Sequence, residues 1–433
     1  MNALSTTTST NGAEIQPKRA LAKRRSKHAC RFCEKPVDRV FVDLGLSPLC
    51  QSFVTPEQVD HGEMFHPLKA LVCDHCRLVQ LPAYVGGEDI FSEYAYFSSY
   101  SQSWLDHCQA YAERMTSELE LGSHSQVVEL ASNDGYLLQY FVARHVPALG
   151  IEPAANVAEV AVARGVPTRV MFFGTAAAEQ LADEGVRADL LIGNNVLAHV
   201  PDLNDFVAGM QTLLAPSGRI TMEFPHLMRL IEQTQFDTIY HEHFSYFSLH
   251  TVRQVFAAHG LTIFDVEELP THGGSIRIHA ERAERRPKPT FRLRQLADAE
   301  YAAGVDSPEA YQRFQPRVER VRADLLEFLL SCRRDSKTVA GYGAPGKGNT
   351  LLNYCGIRTD LLPFTVDRNP YKHGTLTPGA RIPVHPVQRL DEMKPDYILI
   401  LPWNLKDEIM GQMERARNWG ARFVAPIPEL TVY

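Results

Sequence analysis

The residues best equipped to move protons lie in one stretch, Ile239-Tyr240-His241-Glu242-His243-Phe244-Ser245-Tyr246. Two imidazoles, a carboxylate and two phenols fall within seven residues, enclosed by apolar and aromatic positions. A neutral imidazole is matched to proton abstraction near pH 7, and a phenol can donate to a developing oxyanion. Taken alone, the stretch reads equally well as an aromatic-rich linker whose histidines satisfy neighbouring backbone groups. The elements around it must decide.

Chemistry of a second kind sits upstream. Cys30-Arg-Phe-Cys33 and Cys73-Asp-His-Cys76 are two C-x-x-C turns separated by 39 residues. Each turn places two thiolates close enough to share an ion, and two such turns complete a tetrahedral zinc shell. A redox reading of C-x-x-C needs a thioredoxin-like βαβ context, which the flanking sequence lacks. His28 and His75 are rival ligands that two complete cysteine pairs make unnecessary. A shell of four cysteines leaves no open coordination position, so the expected metal is structural zinc. Cys50 is expected to be a buried thiol.

Between these features lies a pattern of α/β type. Gln126-Val-Val-Glu129-Leu-Ala131-Ser-Asn133-Asp-Gly135 reads as a short apolar strand, a turn of small residues and a helix. In a doubly wound sheet the carboxyl end of the first strand is where a nucleotide-like ligand binds. The next strand ends in Glu152, suited to bonding both hydroxyls of a ribose, and a further strand ends in the amides Asn194 and Asn195, followed by His199. Gly218–Pro225 reads as another strand. Leu261–Leu269 and Ser275–Glu281, joined through Thr271-His-Gly-Gly, read as an antiparallel pair closing the sheet. The Tyr240–His243 stretch falls between those last elements, beside the expected ligand. An aromatic strip with Tyr94, Tyr96 and Tyr100 precedes a helix expected over Trp104–Leu121.

Arg292 to Arg334 is charged and periodic, as two or three helices joined near Gly304 and Ser307-Pro308 would be. Val339-Ala-Gly341-Tyr-Gly343-Ala-Pro-Gly346-Lys347 then reads as strand, glycine turn and helix, with Asp367 near the offset of a ribose acid. Taken naively, that predicts a dehydrogenase. The cation in the loop favours phosphate instead, and the remaining stretch of about 95 residues is short for a full six-stranded dinucleotide domain. Lys347 and Gly346, with Arg368 and Asn369, are therefore expected to contact a diphosphate.

The net charge of −7 over 433 residues gives no general excess for binding polyanions, so no nucleic-acid partner is expected. No signal-peptide pattern and no bilayer-length apolar run appears, so a cytoplasmic location away from membranes is expected. The basic, Ser/Thr-rich residues 1–27 read as a disordered tail.

The ordered set of two C-x-x-C pairs, the Glu129–Gly135 loop, Tyr240-His-Glu242-His243 and Gly341–Lys347 resembles the zinc-containing S-adenosylmethionine-dependent C-methyltransferases of nucleotide-linked keto-deoxysugars. The resemblance spans roughly residues 28 to 430. It implies an α/β fold: a class I (Rossmann-like) methyltransferase domain over 83–285, an N-terminal four-cysteine zinc-binding domain over 28–82, linker helices over 286–335 and a C-terminal Rossmann-like α/β domain over 336–433. It implies S-adenosylmethionine held by Glu129, Ala131, Asn133, Gly135, Glu152, Asn194 and Asn195, and zinc held by Cys30, Cys33, Cys73 and Cys76. Ala131 and Asn133 depart from the family's pattern, standing where glycines are usual. His243 looks like the family's base, with Tyr240 and Glu242 beside it and His199 and Tyr94 (or Tyr96) completing the pocket. Glu242 could fix the imidazole tautomer. The implied reaction is C-methylation of a 4-keto-deoxysugar on a nucleotide such as dTDP, at the carbon next to the ketone (C3), through an enolate. O- or N-methyl transfer, or a scaffold without catalysis, are the rival readings. A monomer or weak homo-oligomer is expected.

Overall fold

The computed structural model describes residues 28–86, 98–100 and 102–433. The tail over 1–27 and the candidates Tyr94 and Tyr96 lie outside the described residues.

Seven strands form the central sheet. They are β1 (Val127–Leu130), β2 (Ala148–Glu152), β3 (Thr168–Val170), β4 (Ala188–Asn194), β5 (Leu214–Pro225), β6 (Leu261–Leu269) and β7 (Ser275–Arg282), in the order 6-7-5-4-1-2-3. β1 to β5 run parallel, and β7 lies antiparallel to both β5 and β6. The parallel strands are continuous apolar runs because helices cover both faces: Val127, Val128 and Leu130 of β1 and Leu190–Ile192 of β4 are fully buried. The chain order reverses direction beside β1, so the carboxyl ends of β1 and β4 open a crevice there. β3 and the early start of β5 at Leu214 carry no clear sequence signal; the exposed Arg169 and Val170 show why β3, an edge strand, lacks an apolar run.

The zinc-binding part adds a four-stranded antiparallel sheet, in the order Ser245–Tyr246, Val79–Gln80, His66–Val72, Arg39–Ser47. Its edge strand thus comes from the same stretch as Tyr240–His243. Phe41 on its far strand stacks on Phe314 of the linker helix Phe314–Arg334, with ring centroids 4.5 Å apart, and meets Tyr311 edge-on at 5.9 Å. All three rings are fully buried, which at about 25 cal/mol per Å² stabilises this junction by roughly 1.5–3 kcal/mol per ring. One continuous apolar cluster joins this sheet, the linker helix and the C-terminal unit. The linker reads out as Phe291–Ala302, Pro308–Gln312 and Phe314–Arg334, the second started by Ser307-Pro308.

The C-terminal unit holds six strands, in the order Val384–His385, Thr365–Val366, Val339–Tyr342, Tyr397–Ile400, Arg422–Ala425, Thr431–Val432, with only the last antiparallel. The expectation that about 95 residues are too few for six strands is corrected: none of these strands exceeds four residues, so the layer closes with little chain.

Candidate active site

The first half of the site is built at the ends of β1, β2 and β4. Leaving β1, the chain takes a left-handed conformation at Ala131 (φ 56°), Asn133 (φ 48°) and Gly135 (φ 77°). The loop thus makes three alternate left-handed turns with only one glycine, and Asn tolerates that region better than Ala. Gly135 is required in a second way, since a Cβ there would sit 3.0 Å from Val166 Cγ2. The turn aims the Asn133 N–H at Glu152 Oε2 (2.9 Å), while the Ala154 N–H holds Glu152 Oε1 (2.9 Å). Burial pushes the Glu152 carboxyl up. Glu129 is fully buried, and burial lifts its carboxyl well above the ordinary range, offset in part by the Tyr136 hydroxyl. Asn195, itself left-handed at φ 54°, has a buried Oδ1 that makes no hydrogen bond among the described residues. A buried carboxyl and a buried amide oxygen with unmet accepting capacity among the described residues, at the strand ends, fit a ligand rich in N–H and O–H donors. The ammonium, ribose hydroxyls and adenine amine of S-adenosylmethionine are such donors, and Glu129, Glu152, Asn194 and Asn195 could hold them.

Beside this crevice runs a buried polar network. Glu223 on β5 accepts from Arg277 on β7 (2.5 Å), meets the His107 ring nitrogen (2.9 Å) and accepts from the Thr271 hydroxyl (2.9 Å). Burial alone would raise its carboxyl, but these partners hold it at about 2. Trp104 packs against His107, Tyr136 and His272, tying the entry helix Gln102–Glu118 to the same corner.

The second half is the Tyr240–His243 stretch, which is anchored from two sides. The Phe244 N–H donates to the Ala198 carbonyl (2.7 Å), at the turn that carries His199. From the zinc-binding part, the Leu81 N–H and the Arg31 guanidinium donate to the Phe244 carbonyl (3.0 and 2.9 Å). His243 is buried, its ring 4.2 Å from that of Tyr240 and 4.6 Å from that of His199. Its Nδ1 lies 3.0 Å from the Thr238 carbonyl. A carbonyl can only accept, so Nδ1 carries the proton and Nε2 keeps its lone pair. Burial, reinforced by His199, pushes the His243 imidazole well below its ordinary range. Burial likewise takes His199 down to about 4 and His272 to about 4. Three neutral imidazoles therefore share the region at pH 7.

Glu242 has a different place from the one expected. The tautomer of His243 is set by the Thr238 carbonyl, while the Glu242 carboxyl accepts from the Cys50 thiol at 3.4 Å. Burial raises Glu242 to about 7 and Cys50 well above the usual thiol range. Cys50 is buried, as expected, where a Cβ at Gly346 would come within 3.0 Å of its sulfur. Gly346 thus lets the zinc-binding part approach the start of the helix Gly346–Cys355.

Lys347 opens that helix and turns inward. Its ammonium donates to Asn404 Oδ1 (2.8 Å) and lies 4.8 Å from the centre of the Trp403 ring, and burial lowers its pKa. Arg368 is exposed and pairs with Glu408 at 3.6 Å, and Asn369 caps the turn Pro370–Lys372. Asp367, which stands at the ribose-acid offset, instead accepts the Ala344 N–H of its own glycine loop (2.7 Å). Lys347 and Gly346 are thus brought to the junction, whereas Arg368 and Asn369 lie on its outer side. A cavity of about 470 Å³ lined by Phe53, His61, Glu63 and His66, among others, opens next to the stretch, with the His66 ring 5.7 Å from that of His241. Thr238, Asp237, Trp403 and His272 were not singled out from sequence. Only Trp403 had a usable signal, its place just after an apolar strand.

In the zinc-binding part, the sulfurs of Cys30, Cys33, Cys73 and Cys76 all lie within 4.8 Å of one another, and His28 and His75 are not among the group. The two turns match in detail. The residue after each pair, Glu34 (φ 59°) or Arg77 (φ 63°), is left-handed and returns its N–H to the first cysteine's carbonyl. Four converging thiol sulfurs with no carboxylate among them fit a closed tetrahedral zinc site.

Among solved structures, the chain is similar to the magnesium protoporphyrin IX methyltransferase ChlM of Synechocystis PCC 6803 with bound SAM (16% identity, 42% of this chain and 79% of that chain, TM-score 0.31). It is also similar to a SAM-dependent methyltransferase of Thermotoga maritima (18% identity, 42% and 94%, TM-score 0.33). Three family profiles match in series: "Putative zinc binding domain" over 30–91, "Methyltransferase domain" over 103–266 and "C-methyltransferase C-terminal domain" over 270–428. The C-methyltransferase NovU of Streptomyces niveus is 36% identical over 400 residues, covering 92% of this chain and 95% of that protein. With the four-cysteine cluster and the crevice at the strand ends, this places the chain in a family: it belongs to the zinc-containing, S-adenosylmethionine-dependent C-methyltransferases.

Proposed function

We propose that the chain methylates a nucleotide-linked 4-keto-deoxysugar, carried on dTDP, at the carbon beside the ketone (C3), with His243 as the general base. The observation that carries this reading is the Thr238 carbonyl on His243 Nδ1, which leaves Nε2 of a buried, neutral imidazole free to take a proton. A sugar carbon becomes nucleophilic only when its proton is acidified by an adjacent carbonyl, so C-methylation calls for a base of this kind rather than for an activated hydroxyl or amine. The C3 proton passes to Nε2, its electron pair forms the enolate, and the Tyr240 hydroxyl donates to the enolate oxygen. S-adenosylmethionine, held by Glu129, Glu152, Asn194 and Asn195, supplies the electrophilic sulfonium methyl group. His199, neutral and packed edge-on against His243, keeps a second positive charge away from the base.

In this reading residues 28–82 anchor the base, 83–285 hold the methyl donor, and 336–433, joined through the helices of 286–335, contribute to binding the sugar nucleotide. The cavity beside His66, with Lys372 5.3 Å from the Phe53 ring centre at its edge, gives the nucleotide end room. The test uses dTDP-4-keto-6-deoxyglucose in deuterated water, read by proton NMR. Exchange at C3 supports the assignment, exchange at C5 moves the methylated carbon to the other side of the ketone, and no exchange removes the enolate. His243→Asn is expected to lower turnover by at least about 10²-fold while both ligands bind. Turnover like the wild type's would remove His243 as base.

A further inference from the structure

A line of contacts connects the base to the C-terminal unit. Thr238, whose carbonyl holds His243 Nδ1, ends the single turn Phe236–Thr238. The residue before it, Asp237, is fully buried and accepts the indole N–H of Trp403 at 2.7 Å. Trp403 begins the turn Trp403–Leu405, just beyond the strand Tyr397–Ile400 of the C-terminal sheet. The ring is fixed on two sides. Lys347, held by Asn404, lies over it, and the β6–β7 connection comes so close that a Cβ at Gly273 would sit 2.8 Å from Trp403 Cη2. That same connection is tied back to the turn, because Gln235 Nε2 donates to the Gly273 carbonyl (2.7 Å) and the Thr238 hydroxyl donates to the Gln235 carbonyl (2.7 Å).

Outside its own turn, Asp237 faces the Lys347 charge and takes one hydrogen bond, from Trp403. Its Oδ1 makes no hydrogen bond among the described residues, so the indole N–H on Oδ2 is the hydrogen bond that fixes the carboxyl's orientation in the turn. A buried carboxyl that loses that donor gains by turning toward Lys347 or water. With the carboxyl unanchored, the turn that carries the Thr238 carbonyl is free to relax away from His243. An imidazole released at Nδ1 shifts toward the Nε2–H tautomer, which cannot accept a proton from carbon.

We propose that Trp403 is a positioning residue: by donating to Asp237 it locks the turn whose Thr238 carbonyl keeps His243 in the form that can act as a base. The C-terminal unit then completes the active site, in addition to any contact it makes with the nucleotide. This rests on the reading of His243 as the base, and the test separates the two.

The test uses the full-length, zinc-loaded protein. Zinc content and calorimetry with S-adenosylmethionine confirm that each variant is folded. Trp403→Phe keeps an aromatic ring and removes the donor. With dTDP-4-keto-6-deoxyglucose as probe, kcat is expected to fall at least tenfold while the KM for S-adenosylmethionine stays within threefold. In protein labelled with ¹⁵N-imidazole histidine, the His243 signals, assigned by their loss in His243→Gln, move toward the Nε2–H tautomer. Asp237→Ala breaks the same bond from the other end and should reproduce both effects, and the double variant should be no worse than the poorer single one. Wild-type kcat and unchanged His243 signals in Trp403→Phe overturn the inference, as does a double variant whose losses multiply. If His243→Gln loses solvent exchange at the sugar while Trp403→Phe keeps wild-type behaviour, only this inference fails. If His243→Gln retains exchange, the base assignment fails and this inference falls with it.

Discussion

Glu242 offers the sharpest measurable consequence of the site's dryness. Its side chain is 4% exposed, its contact of note is a thiol, and burial lifts its pKa from 4.5 to about 7. A carboxyl raised in the folded state binds its proton more tightly there than in the unfolded chain. Its contribution to stability is therefore fully present below pH 4.5 and is lost as pH rises through 7. At about 1.4 kcal/mol per pH unit, the ionised form costs about 3 kcal/mol at pH 8 and under about 1 kcal/mol at pH 5. Glu242→Gln keeps the shape and an accepting oxygen but cannot ionise. The stability of the variant relative to the wild type should accordingly rise by about 2–3 kcal/mol between pH 5 and pH 8. Taking the difference at each pH cancels every other group that titrates over the range. The assay is denaturant unfolding followed by tryptophan fluorescence at matched zinc concentration. A difference that stays flat from pH 5 to 8 would show Glu242 ionising at its ordinary value, and the dry pocket around the base would have to be abandoned.

Other consequences can be checked with less effort. Burial lowers His199 and His272 to about 4 and pushes His243 well below its ordinary range, so the unfolded chain takes up their protons near pH 6.5 while the native state resists. Their contribution to stability is thus lost as pH falls from 6.5 toward 4, and the acid limb of kcat should lie below pH 6; a limb at 6.5 would contradict a buried base. Ala131→Gly relieves a left-handed alanine and should raise stability by roughly 0.5–1 kcal/mol in thermal unfolding, and a loss of stability would mean the loop is unstrained. Glu152→Gln should weaken S-adenosylmethionine binding by about tenfold in calorimetry, the loss expected for a charge-assisted hydrogen bond, and unchanged affinity would remove Glu152 from the ribose. Stripping zinc with a chelator should abolish turnover yet leave S-adenosylmethionine affinity within a few-fold. Ser245–Tyr246, next to the base, pairs with Val79–Gln80 of the cysteine-bearing part, whereas the crevice lies at the ends of β1 and β4 in the central sheet.

What could be read from the sequence follows from how local each signal is. The C-x-x-C turns and the strand ends at Glu129, Glu152 and Asn194 were legible because ligand spacing and apolar runs are written over a few consecutive residues. The Ala131–Gly135 loop was legible in place but not in conformation, since alanine at φ 56° betrays nothing in its residue type. Lys347 shows the limit from the other side. A G-x-G-x-x-G-K string reports a tight turn into a helix, but not which way that helix faces, and here its lysine turns onto Trp403 at an interdomain junction. The setter of the His243 tautomer was beyond reach for a stronger reason. It is a backbone carbonyl five residues away, and every residue has one; only the fold chooses which carbonyl meets a given imidazole. Glu242, a carboxylate next in sequence to His243, was the natural candidate for that role. Its side chain instead finds the Cys50 thiol, contributed from 192 positions earlier in the chain. Sequence therefore names the groups that carry charge at this site. Their protonation states come from partners brought together by three separate stretches of chain.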